Sequence, residues 1–102
     1  MATRRAILER AGHKIELARN LLEVVSACER IDFDIVILGQ ALSAQEKLRV
    51  SNTVLEHCTD VKLLEYHNAL VPDIATADAH LHVASSPPEA LLETVKTLTG
   101  QG

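Results

Sequence analysis

Apolar positions along this 102-residue chain switch repeatedly between two spacings, one that repeats every three to four residues and one that is continuous or alternating. Over 3–11, Ile7, Leu8 and Ala11 lie on one side of a predicted helix that Gly12 would stop. Over 13–19, Ile15 and Leu17 alternate with Lys14 and Glu16, the pattern of a short strand. Leu21, Leu22, Val25 and Cys28 return to helical spacing. Asn20 stands before them as a cap, with Glu23 three residues on, so a capping box is predicted with Asn in the Ser/Thr place. Asp34-Ile35-Val36-Ile37-Leu38 is the clearest strand, a short apolar run rich in β-branched residues that Gly39 ends.

The second half repeats the alternation. Ser43 and Glu46 form a capping box for a long helix over 44–57, and Asp60-Val61-Lys62-Leu63-Leu64 begins another strand. Pro72 interrupts 69–79, whose apolar spacing decides neither helix nor strand. His80-Leu81-His82-Val83 reads as a last short strand. Ser86-Pro87-Pro88-Glu89 reads as a helix start with Ser86 as the cap, and Leu91, Leu92, Val95 and Leu98 then face inward until Gly100. Helices alternating with short strands predict an α/β fold, a parallel sheet of about four strands with helices on both faces. Residues 1–102 are expected to form a single domain.

Composition narrows the field. The chain is 47% hydrophobic but only 2% aromatic, so its core must be aliphatic. A net charge of −4 argues against nucleic acid as a partner, because such modules carry a basic face and only Arg4-Arg5 form a basic pair. No stretch has the length or hydropathy of a membrane span, and the N-terminus has no apolar signal region. Cys28 and Cys58 sit in apolar helical contexts, where free cysteine behaves as a small buried hydrophobe. A disulfide between two such distant cysteines is disfavoured, and a reducing cytoplasm is expected.

Three stretches carry a family resemblance. Leu8-Glu9-Arg10-Ala11-Gly12-His13-Lys14-Ile15 is similar to the end of the first helix and the second strand of bacterial two-component receiver domains. Ile31-Asp32-Phe33-Asp34-Ile35-Val36-Ile37-Leu38 resembles the approach to their third strand, and Pro88-Glu89-Ala90-Leu91-Leu92 the start of their last helix. The resemblance covers nearly the whole chain and implies a truncated flavodoxin-like (receiver-like) sheet whose first strand, with its Mg²⁺-binding acidic pair, would precede Met1. It further implies that the phosphoacceptor aspartate is replaced by Gly39, and that the switch Ser/Thr falls near His67. The conserved lysine falls on Ala84 and the proline after it on Ser85. Phosphoryl transfer depends on charge neutralisation and positioning, and none of the groups that supply them is left. No catalytic, cofactor-binding or metal-binding residue is therefore expected, and the chain is expected not to be an enzyme.

Other candidates yield to plainer explanations. His80 and His82 share a strand face and His67 could lie beside them, but no cysteine or carboxylate at ligand spacing accompanies them. His57 and Cys58 are adjacent on a helix and point about 100° apart, so they do not form a base–nucleophile pair. Asp32 and Asp34 stand where a strand begins, whereas sites in open α/β sheets lie at carboxyl ends. Glu65 is odder: it either ends its strand early or faces a partner chain. The expected function is phosphorylation-independent signalling through protein–protein contact, with homodimerisation following from the missing central strand. A small-ligand or metal module built on Gly39, His67 and Ser85 is the alternative.

Overall fold

A computed structural model of the chain describes residues 4–58 and 60–100. The elements in order are α1 (Arg4–Arg10), α2 (Leu21–Arg30), β1 (Ile35–Leu38), α3 (Ala44–His57), β2 (Lys62–His67), β3 (Ala79–His82), a single 3-10 turn (Val83–Ser85) and α4 (Pro88–Thr99). Thr3, where helix is predicted, lies outside the described residues. The strands form one parallel sheet in the order β1-β2-β3, with Ile37 opposite Leu64 and Glu65 opposite His80. The protein is thus α/β, with three parallel strands and four α-helices among the described residues.

Local chemistry explains most boundaries. Asn20 caps α2 by accepting the Glu23 amide at 2.9 Å, while the Glu23 carboxylate takes the amide of Arg19 rather than that of Asn20. Ser43 and Glu46 complete the reciprocal capping box of α3, at 3.1 and 2.9 Å. Gly100 ends α4 at φ 71°, a left-handed conformation that glycine adopts without a Cβ penalty. The start of α4 differs from expectation. Its first residue is Pro88, so Pro87 holds the cap position and Ser86 does not cap the helix. The side chain of Pro87 has no acceptor to offer the first free amides.

Successive residues of β2 divide the core. Leu64 and Tyr66 face α1 and α4, where they join Leu8, Leu91 and Val95 in one buried apolar cluster. Leu63, Glu65 and His67 face the other way, toward α3, by the two-residue period of a strand. Helices therefore cover both faces of the sheet.

Two further expectations fail. The segment 13–19 joins no sheet, so among the described residues there are three strands rather than about four. Ile15 packs against the apolar cluster while Leu17 is 61% exposed. Alternation gives this segment a face to bury, but no strand stands next to it to complete a ladder. The cysteines also depart from the expected free thiols. Cys28 in the last turn of α2 and Cys58 at the C-cap of α3 are joined as a disulfide, their Cα atoms 5.1 Å apart, across 30 residues of sequence. Packing of α2 on α3 brings the two together, a proximity that spacing along the chain does not reveal.

Candidate functional site

Ligand sites in parallel sheets form at the carboxyl ends of the strands. Here Gly39 follows β1, His67 ends β2, and His82 ends β3 just before Ala84 and Ser85. At Gly39 a Cβ would meet nothing within 4 Å, so neither space nor backbone geometry demands glycine there. Arg4 reaches this edge from α1. Its guanidinium lies 3.6 Å from the centroid of the Tyr66 ring and donates a hydrogen bond to Gln40. Burial pushes the Tyr66 hydroxyl above its ordinary value despite the opposing charge of Arg4, so the phenol stays neutral.

The face of the sheet beneath α3 carries the charged chemistry. Lys47 projects from the first turn of α3 and is buried, as is Glu65 at the middle of β2. The Lys47 Nζ donates to Glu65 Oε2 at 2.9 Å, to the Tyr66 carbonyl at 2.8 Å and to Asp73 Oδ2 at 3.0 Å. Glu65 also accepts the amides of Asp73 at 2.9 Å and Ile74 at 3.0 Å. Burial alone would push the Glu65 carboxyl up, but Lys47 and the two amides outweigh it and hold the group below its ordinary value. Burial would likewise lower the Lys47 ammonium, yet hydrogen bonds to Glu65 and Asp73 raise it. Both side chains are therefore charged across the neutral range.

Three histidines border this network. The His67 ring is 5.3 Å from that of His82 and 6.4 Å from that of His80, centroid to centroid. His67 Nδ1 faces the Ala69 carbonyl at 2.6 Å, His80 Nε2 the Ile74 carbonyl at 2.7 Å, and His82 Nε2 the Asn68 carbonyl at 3.0 Å. A ring nitrogen facing a carbonyl is a donor, so the contacted nitrogen of each ring carries a proton. His82 Nδ1 and the Ser85 hydroxyl share a hydrogen bond at 3.2 Å. No group of three or more His, Cys, Asp or Glu among the described residues is placed to hold a metal ion.

No protein-family model, curated protein or solved structure matches the chain. Geometry alone has to say what the edge can do. All three Lys47 donors are spent, both Glu65 oxygens are occupied, and the histidines are turned onto the connection between β2 and β3. Glu65 Oε2 takes the Lys47 ammonium and the Asp73 amide, and Oε1 takes the Ile74 amide with His80 Nε2 3.7 Å away. The arrangement suits a clamp. It ties α3, β2 and residues 73–74 together, and the Leu63 amide adds to the clamp by donating to Asp78 Oδ2 at 2.8 Å.

The structure brings His67, His80 and His82 together as the strand register suggested, and it leaves Asp32 and Asp34 apart from any such cluster. Glu65 neither ends its strand nor faces outward: Lys47 accounts for it. Lys47 itself gave one sequence signal, its position four and seven residues before Ser51 and Val54, which places it on the helix face those residues bury. An open groove of about 430 Å³ lies away from the residues expected to form a ligand site, lined by Glu16, Leu17, Leu22, Glu23, Ser26, Ala27 and Arg30.

Proposed function

We propose that the chain is a phosphorylation-independent, receiver-like module of flavodoxin-like topology that works in the cytoplasm by binding protein, first of all a second copy of itself. The observation that carries this is the open edge of β1. The Lys62 amide donates to the Asp34 carbonyl at 3.0 Å, and Ile35 pairs in register with Lys62. In a parallel ladder that pattern turns the backbone groups of Val36 and Leu38 toward β2 and those of Ile35 and Ile37 outward. Among the described residues no backbone or side-chain group pairs with the outward set.

An unpaired strand edge is a template for another strand. A two-fold partner presenting the same edge would set β1 against β1 antiparallel and satisfy both sets at once. Exposed Leu22 (79%) and Leu17 (61%), which line one groove, add apolar surface of the kind that marks association sites. Gly39 and Ala84, at positions where receivers carry aspartate and lysine, support a role without phosphorylation. Light scattering at low micromolar concentration tests the proposal: a particle of twice the 11.1 kDa chain mass is expected, and a stable, folded particle of monomer mass overturns it.

A further inference from the structure

We propose that the Cys28–Cys58 disulfide is a thiol-responsive latch that holds α2 against α3. Helix α2 packs on one neighbouring helix through half-buried side chains. It buries no residue fully, and its principal packing partner is α3. Its N-terminal Leu21 and Leu22 are exposed, and Val24, Val25, Ala27 and Cys28 are only half-buried. The Arg30–Glu16 ion pair at 3.2 Å, exposed on both sides, ties it only to the equally loose segment 13–19. Exposed pairs of this kind contribute little. The disulfide is thus a covalent tie across a helix pair whose α2 side contributes only half-buried side chains.

Both cysteines are half-buried rather than fully buried, near the surface where exchange with a small thiol is tested below. The chemistry is thiol–disulfide exchange with a dithiol. One thiolate of the reductant attacks a sulfur and forms a mixed disulfide; its second thiol displaces the protein sulfur. Two electrons and two protons pass to Cys28 and Cys58, and the reductant leaves as its own disulfide. Catalytic cysteines commonly place the reactive sulfur at a helix amino end. Here both lie at carboxyl ends, which suits a latch and not an oxidoreductase centre. In the cytoplasmic setting proposed above, disulfides are characteristically transient or redox-sensing. The latch is otherwise independent of self-association, because helix release is read by amide exchange and dimerisation by mass.

Hydrogen exchange read by mass spectrometry tests it on the whole chain, first oxidised with oxidised glutathione and then reduced with dithiothreitol. Amides of Leu21–Arg30 should be protected in the oxidised protein and exchange more than about tenfold faster after reduction, while β2 stays protected. The Cys28→Ser, Cys58→Ser double variant should show the released pattern without reductant. Protection of α2 that survives verified reduction overturns the latch. So does loss of protection in α2 and β2 together, which would make the disulfide a staple of the whole fold. Two free thiols after treatment with oxidised glutathione would overturn it as well.

Discussion

The two flanks of the sheet are built on opposite principles. On the β2 side every buried side-chain polar atom among the described residues has a partner: Lys47 bridges Glu65 and Asp73, and the connection between β2 and β3 is pinned by Asp78 and the histidine rings. On the β1 side the strand edge is open, the segment 13–19 pairs with nothing in the sheet, and α2 buries no residue. Strand β2 has a neighbour on each side and a helix layer on each face. It can hold even an ion pair, because its surroundings supply every hydrogen bond that water would have supplied. Strand β1 lacks one neighbour, and the weakness spreads to the elements that would have packed beside it. Strand β3 is an edge strand too, but the polar partners around the β2–β3 connection secure it, and the β1 flank has no such network. The flank left incomplete is the one available for contact with a partner.

The largest expected effect breaks the rigid side. Lys47→Met leaves the buried Glu65 carboxylate uncompensated, and urea denaturation should show a loss of roughly 3–5 kcal/mol. Adding Glu65→Leu should recover much of that loss, since an apolar pair replaces the ion pair. Recovery would show that the network fixes geometry more than it adds stability. On the loose side, removing the disulfide through Cys28→Ser and Cys58→Ser should cost less, at most about 2 kcal/mol in the same assay and the low end for a disulfide, because the released helix gains freedom in the folded chain as well as the unfolded one.

A smaller effect follows pH. The folded-state value of Glu65 lies below the ordinary 4.5, so its contribution is present above that value and is lost as pH falls through the depressed one. Lys47 lies above its ordinary 10.5, so its share is complete below that and is lost as pH rises through the raised value. Stability measured by urea should therefore be flat for this pair between these limits and fall on both sides, and Glu65→Gln should shrink the acid limb. The smallest effect is expected at Gly39. Gly39→Asp fits the open space there and should change stability by less than about 1 kcal/mol. Neither it nor the parent chain should gain the mass of a phosphoryl group on incubation with Mg²⁺ and a small phosphodonor; an aspartyl phosphate on the parent chain would contradict the assignment of Gly39 and Ala84.

Much of the fold was legible where signals are local. The caps at Asn20 and Ser43, the apolar run of β1 and the glycine stop at Gly100 each depend on residues within four positions. The tertiary facts were not. In α3, Leu48 and Leu55 repeat at a helical interval and are exposed, whereas Lys47, Ser51 and Val54 face the sheet, so hydropathy alone picks the wrong face. A lysine becomes an interior residue only because Glu65 waits on another element, 18 positions away. The disulfide was hidden for the same reason. Alternation in 13–19 was real, but a ladder needs a neighbour, and periodicity within one segment carries no information about that. Of the candidate site, the histidine cluster could be read from the strand register and the clamp could not.

The open edge of β1 is the central claim, and amide exchange resolved by residue in NMR spectra reads it directly. Ile35 and Ile37 present their N–H groups outward, whereas Val36 and Leu38 donate to β2. If self-association pairs the edge, all four amides should be protected at high protein concentration, and dilution should release Ile35 and Ile37 while Val36 and Leu38 stay protected. Fast exchange at Ile35 and Ile37 at every concentration, beside slow exchange at Val36 and Leu38, would contradict it.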